Sequence, residues 1–314
     1  MGTRELLLLR HGRAETGRLG DDRARALTDA GKRDIQRIGV YLHTHDWLPD
    51  VAIASPATRT HVTAEKTLKA GGRGIASLST DERIYDAPLR ALLRVLASPA
   101  ASAQRVMLVG HNPGLSELLG YLCDQSAAMR PGMLARISMP EDWATLPRGS
   151  ATLLDIVDPE ALPRDFVFPG PGGAERRRRP AYYYMQSGVV PYRRTEAGLE
   201  ILLIGSSKKK RWVVPKGIIT PGLTPQASAA KEALEEAGIE GEVENPSLGT
   251  FTLDKWGAEV TCEVYPMRVT RVHDEDAWDE RHRGRMWVSP EVALERIGRP
   301  GLEPLIRALV QRLG

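Results

Sequence analysis

Apolar residues in the first half of the chain come in short unbroken runs, each followed by a stretch with helical spacing. Residues 5–9 carry four consecutive leucines closed by Arg10, the mark of a strand buried on both faces. From Thr28 onward Ile35, Ile38 and Leu42 recur at three- and four-residue steps, which predicts a helix. Residues 51–55 and 105–110 repeat the strand pattern. A helix through Thr63 follows the first, and one from about Pro113 to Leu122 follows the second. This alternation predicts an α/β unit with a mostly parallel, doubly wound sheet.

The pattern breaks over residues 163–180, where Pro and Gly cluster and Arg176 to Arg179 run together. That composition reads as a solvated tether. It divides the chain into a first domain, 1–163, a linker, 164–180, and a second domain, 181–314. The second domain reads as α+β, a mixed sheet between helices. Residues 187–193 and 199–205 are strands, 206–210 a charged turn and 211–214 a returning strand. A helix over 225–237, an alternating strand over 258–270 and two closing helices complete it.

A length of 314 residues suits two domains, and 42% hydrophobic residues suffice for a core in each. The net charge of +3 is not concentrated in either half, so no nucleic-acid partner is expected. Cys123 and Cys262 lie in different halves and make no metal-type pair, as in reduced cytoplasmic proteins. The apolar run near the start is too short for a membrane span.

Chemistry gathers at the ends of the first-half strands. Arg10-His11-Gly12 follows the first, Ser55 and Arg59 the second, and Gly110-His111-Asn112-Pro113 the third. Ligands of open α/β sheets bind at that edge. A neutral imidazole can attack phosphorus, arginine forks match phosphate oxygens, and a glycine permits close approach. Asn112 reads as an N-cap with Pro113 at the first helical position. His43, His45 and His61 fall on helices without partners and read as surface residues.

The ordered segments "LLLLRHGRAE", "RALTDAGKRD", "IASPATRTHVTAEKTL", "ERIYDAPLRALLRVL" and "VMLVGHNPGLSELLGYL" resemble the histidine phosphatase superfamily, in its short SixA-like phosphohistidine phosphatase branch. The resemblance makes His11 the nucleophile and Arg10, Arg59 and His111 a phosphate cage, with Gly12 and Asn112 beside it. It implies no cofactor. Glu82 is the nearest candidate for an acid, yet its context matches the short branch, so phosphohistidine or phosphoanhydride leaving groups are expected.

In the second half Glu232, Glu235 and Glu236 follow a Gly/Pro loop at helical spacing. Read as one face, they repel one another unless a hard cation joins them. "GIITPGLTPQASAAKEALEEAGI" (217–239) resembles the Nudix signature, and the flanking sequence resembles its diphosphoinositol polyphosphate and diadenosine polyphosphate hydrolases. The resemblance implies Mg2+, or Mn2+, held by Glu232, Glu236 and the Gly217 carbonyl. It makes Glu235 a third ligand or the base that activates water. Leu223, Lys231 and Ala233 depart from the signature. Lys208, Lys210, Arg211 and Lys216 stand where a polyphosphate tail could be gripped, or in a charged turn. Trp256, Trp278 and Trp287 could stack on a base or lie in the core. A further carboxylate is sought among Glu259, Glu263 and Asp274 to Asp276.

Together the two halves imply a bifunctional hydrolase of small phosphorylated compounds: nucleotides, dinucleoside polyphosphates or inositol pyrophosphates. A phosphohistidine protein is a further partner for the first site. The alternative is an active phosphatase joined to a degenerate Nudix sensor.

Overall fold

A computed structural model of the chain describes residues 4–16, 21–98, 103–125, 127–170, 173–206, 211–275 and 277–314. It separates into two compact units, Met1–Val167 and Phe168–Gly314.

The first unit is built on strands β1 (Arg4–Arg10), β2 (Val51–Ala54), β3 (Leu78–Thr80), β4 (Arg105–Gly110), β5 (Leu134–Met139) and β6 (Thr152–Val157). Their order in the sheet is β3-β2-β4-β1-β5-β6. The first four are mutually parallel, while β5 and β6 join antiparallel. Helices α1 (Asp29–Thr44), α2 (Thr58–Ala70), α3 (Leu89–Leu96) and α4 (Gly114–Cys123) cover the two faces. Side chains alternate across a strand, so the leucine run serves both faces. Leu6 and Leu8 pack with Leu92, Leu96, Leu115 and Leu118 of α3 and α4. Leu7 and Leu9 pack with Ile35, Ile38 and Leu42 of α1 and Leu68 of α2. Truncating any one of them would cost about 2–5 kcal/mol. Thr28 caps α1, its hydroxyl accepting from the Gly31 amide at 3.0 Å.

The tether predicted over 164–180 is instead structured in part. Strands β7 (Phe166–Gly170) and β8 (Gly173–Arg177) pair as a two-stranded sheet. The arginine run is not wholly solvated either. Arg177 lies over the rings of Phe168 and Tyr184, at 4.7 and 4.8 Å. Aromatic faces attract the guanidinium, which composition alone does not reveal.

The second unit centres on β9 (Met185–Thr195), followed by β10 (Gly198–Gly205), β11 (Trp212–Val213), β12 (Lys216–Ile218), β13 (Ile239–Val243), β14 (Gly249–Lys255), β15 (Ala258–Val272) and β16 (Arg285–Val288). β9 runs parallel to β15 and antiparallel to β10 and β12. The helices are α5 (Pro225–Ala237), α6 (Pro290–Arg296) and α7 (Glu303–Leu313). Alternation decides the layers again. Val189 packs with Ala229, Ala233 and Ala237 of α5. Val190 packs with Leu305, Ile306 and Leu309 of α7. Small residues let α5 lie close to the sheet, and Ala233, where the signature has a bulkier aliphatic, is one of them. Thr224 caps α5 and Gly238 ends it in the left-handed region, φ 61°. Among the described residues no helix is long and apolar enough to cross a membrane.

Candidate active sites

The parallel strands of the first unit end at a cleft of about 560 Å³ lined by Arg10, His11, Arg25, Arg59, His111 and Asn112, among others. The rings of His11 and His111 stand 5.3 Å apart. His11 Nδ1 is 2.8 Å from the Gly12 carbonyl. That oxygen can only accept, so Nδ1 carries the proton and Nε2 keeps its lone pair. Burial pushes the His11 imidazole down to about 4, and Arg59, Arg10 and Arg25 push the same way against the Gly12 bond. Burial likewise takes His111 down to about 3, with Arg59 second. Both rings are neutral at pH 7, as a nitrogen nucleophile requires. His111 Nε2 donates to Ser55 Oγ at 2.8 Å, and its Nδ1 accepts from Arg59 Nη2 at 3.3 Å.

Arg10 donates to the Met129 carbonyl at 2.8 Å. Asn112 donates to the same carbonyl at 2.8 Å and does not cap α4, whose cap position is Pro113 with no side-chain bond. Gly12 does not line the cleft. A β-carbon there would meet Ile35 Cγ1 at 2.9 Å and the Gly31 carbonyl at 3.2 Å. Its small size therefore serves the packing of α1 and not the approach of a ligand. Glu82 is exposed and pairs with Arg23 at 3.1 Å outside the cleft.

Asp22, Arg25 and Tyr85 are among the lining residues that escaped the strand-end pattern. Asp22 accepts from Arg59 Nη2 at 2.7 Å, Arg25 Nη1 at 2.9 Å and the Tyr85 hydroxyl at 2.8 Å. The acidic-basic run "DDRAR" before Thr28 was the only signal for it.

The second unit holds a cleft of about 490 Å³ lined by Lys216, Gly217, Glu232, Glu236, Lys255, Trp256, Arg283 and Arg299, among others. Glu232 and Glu236 reach it from successive turns of α5. A β-carbon on Gly217 would lie 2.0 Å from Glu232 Cδ, so the missing side chain is the cradle for that carboxylate. Glu236 accepts from the Lys216 amide at 3.0 Å and pairs with Arg283 at 2.7 Å. Burial, then its neighbour Glu236, pushes Glu232 up to about 7. Burial also raises Glu236. Partly buried Glu232 and buried Glu236 bring two carboxylates to one cleft, a hard-oxygen donor set that fits a divalent cation. Among the described residues no three His, Cys, Asp or Glu side chains gather into a cage. Mg2+ is commonly bound by one or two carboxylates together with waters and substrate phosphates.

Glu235 is not brought to the cleft. Both its oxygens take Lys231 Nζ at 2.6 Å on the outer face of α5. At 3.6 residues per turn, positions 232 and 236 nearly coincide while 235 is displaced, and a lysine at 231 captures it. Arg211 is exposed, its stem against Gly298, and does not line the cleft. Lys208 and Lys210 lie outside the described residues, as does Asp276. Glu280, which was not among the candidates, lies beside α5, its amide donating to the Glu235 carbonyl at 3.1 Å. Of the three tryptophans only Trp256 lines the cleft; Trp278 is buried against Gly238 and Trp287 packs on the α5 side of the sheet.

Residues 185–309 match the NUDIX domain. Nudix hydrolase 17, mitochondrial, of Arabidopsis thaliana is 32% identical over 136 residues, which span 40% of this chain and 73% of that protein. The chain belongs to the Nudix hydrolases. A diphosphoinositol polyphosphate phosphohydrolase, type 3-beta, of Bos taurus is 33% identical over 106 residues, or 32% of this chain and 62% of that one. Residues 6–92 match the histidine phosphatase superfamily (branch 1). The SixA phosphohistidine phosphatase structure from Nakamurella multipartitia is 28% identical with a TM-score of 0.46, covering 51% of this chain and 99% of that one. Both families are hydrolases, and this Nudix protein joins its Nudix unit to one similar to the histidine phosphatases.

Proposed function

We propose that both units are catalytic: a metal-independent phosphatase and an Mg2+-dependent pyrophosphohydrolase acting on small phosphorylated compounds. The observation that carries this is the pair of clefts, one with two neutral histidines among arginines, the other with two carboxylates, one buried and one partly buried, among basic side chains.

In the first cleft His11 Nε2 attacks phosphorus as the bond to the leaving group breaks. The Gly12 carbonyl holds the Nδ1 proton and so fixes the ring. Arg10 and Arg59 match the phosphoryl oxygens, and water then cleaves the N–P bond. Asp22 is held ionised by Arg25, Tyr85 and Arg59 and has no proton to give. Leaving groups that need little protonation, such as phosphoramidates and phosphoanhydrides, therefore suit the cleft. In the second cleft Glu232, Glu236 and the Gly217 carbonyl would hold Mg2+, which supplies charge neutralisation at the phosphates. Lys216, Lys255, Arg283 and Arg299 bind further phosphate oxygens. A nucleoside polyphosphate, dinucleoside polyphosphate or inositol pyrophosphate meets these demands.

A second reading, a Nudix unit that senses rather than cleaves, is favoured by the Arg283–Glu236 pair, which occupies one carboxylate. Chelation decides between them. EDTA should stop pyrophosphate cleavage and spare acyl-phosphate cleavage by the full chain. His11→Ala should do the reverse, and Glu236→Gln should lower pyrophosphatase turnover by roughly two orders of magnitude. Pyrophosphate cleavage that is absent with Mg2+ would leave the sensor.

A further inference from the structure

The cage arginine of the phosphatase cleft is held by a loop and not by the helix that carries it. Arg59 enters from the first turn of α2 and its side chain is 7% exposed. Its two terminal nitrogens are both taken by one loop residue. Nη1 donates to the Asp22 carbonyl at 2.5 Å and Nη2 to the Asp22 carboxylate at 2.7 Å. Two oxygens of a single residue on two nitrogens of a planar fork fix its plane as well as its position. The contact uses the end of the guanidinium. It leaves the side edge, formed by Nε and the second Nη2 hydrogen, turned toward His111, whose Nδ1 lies 3.3 Å from Nη2. Nε is buried and has no hydrogen-bond partner among the described residues.

Asp22 is itself fixed. Arg25 Nη1 holds Oδ1 at 2.9 Å, and the Tyr85 hydroxyl holds Oδ2 at 2.8 Å. Arg25 is anchored in turn to the Glu15 carbonyl at 2.8 Å. The Tyr85 ring stands edge-on to His111 at 5.6 Å, under the Arg23 guanidinium at 4.4 Å. The Asp22 side chain is 50% exposed. A half-exposed ion pair contributes little to stability, so keeping a buried arginine in place accounts for this network better than folding does.

We infer that Asp22 is the positioning residue of the phosphatase cleft, aiming the Nε–Nη2 edge of Arg59 at the phosphoryl group beside His111. This rests on the phosphatase reading above. It assigns Asp22 no proton transfer: the carboxylate acts through Arg59 and stays ionised. It also separates Asp22 from a plug, an acidic side chain that fills the phosphate position until substrate displaces it. A positioning carboxylate helps oxyanions bind, whereas a plug hinders them.

The test uses the full chain with acetyl phosphate as substrate, orthovanadate as transition-state mimic and inorganic phosphate as product. Asp22→Asn keeps the shape and removes the charge. It should lower kcat by about 10- to 100-fold and weaken vanadate inhibition by a similar factor. Phosphate inhibition should weaken by no more than about 3-fold, because misalignment hurts the transition state most. Tyr85→Phe removes the hydroxyl bond to Asp22 and a weaker contact with Arg59, and leaves the Asp22–Arg59 pair itself in place. It should show the same pattern at about 2- to 5-fold, and it carries the test should Asp22→Asn fail to fold. Unchanged kcat in a folded Asp22→Asn, or tighter vanadate and phosphate binding, would overturn the assignment. His11→Ala keeps the two questions apart. If it retains activity the phosphatase reading falls; if it is inactive while Asp22→Asn is unimpaired, only the positioning role falls.

Discussion

The carboxylate of Glu232 lies directly over Gly217, where a β-carbon would stand 2.0 Å from Cδ and 2.1 Å from one oxygen. Gly217→Ala should therefore push Glu232 out of the cleft. The expected result is a pyrophosphatase rate lowered by about 10-fold or more, with phosphatase activity unaltered. Steady-state kinetics on both substrates, with a melting curve to exclude unfolding, checks it. Full pyrophosphatase activity in the alanine variant would separate Glu232 from the metal.

The depressed His11 imidazole sets a pH window. Neutral Nε2 is the nucleophile, so the acid limb of phosphatase kcat/KM should fall near pH 4, not near 6.5. Folding shows the same shift. The unfolded chain binds this proton near its ordinary value and the folded chain only near 4, so stability is lost as pH falls between those values. For His11 alone the loss reaches about 3 kcal/mol. Denaturant midpoints at pH 7 and 4.5 should differ less in His11→Asn than in the parent chain.

Leu223 stands where the Nudix signature has glutamate, and Lys231 where it has arginine. Leu223 is 43% exposed, and Lys231 is already engaged by Glu235 at 2.6 Å. Restoring the acid with Leu223→Glu should leave pyrophosphatase kcat/KM within about 3-fold and stability within ~0.5 kcal/mol. A tenfold gain would show that the loop lacks a brace the lysine cannot supply.

Periodicity made much of the fold legible. The leucine run of β1, the stripe of Ile35, Ile38 and Leu42, and the strand-end Arg59 and His111 fell where spacing put them, because alternation and helical pitch are local properties. The sequence left three things hidden, each dependent on partners distant in the chain. Asp22 reaches Arg59 from a loop with no periodic signal. Glu235 is drawn off the cleft by Lys231, a competition that a count of acidic residues on one face does not register. The paired strands β7 and β8 lie in a segment whose composition reads as a tether, and Arg177 of β8 gains from aromatic contacts. Gly12 teaches the same point: its place in Arg-His-Gly suggested a ligand, while the atoms against it belong to α1.

Arg283 bears on whether the Nudix cleft turns over. Its Nη2 holds Glu236 Oε1 at 2.7 Å with the guanidinium 10% exposed, and its Nε is taken by Glu280. A guanidinium and a divalent cation compete for that oxygen, since each needs its lone pairs. Were Mg2+ to take it, the Arg283 Nη2 would be freed to bind phosphate with the other basic residues of the cleft, Lys216, Lys255 and Arg299. Arg283→Ala should thus act in two directions. The Mg2+ concentration for half-maximal pyrophosphatase rate should fall by about 3- to 10-fold, because a competitor is gone. The KM for the polyphosphate should rise by about 10-fold, because a charged donor is lost. Titrating Mg2+ at saturating substrate, then substrate at saturating Mg2+, separates the two effects. A higher Mg2+ requirement in the variant would mean that Arg283 orients Glu236 for the metal instead of competing with it.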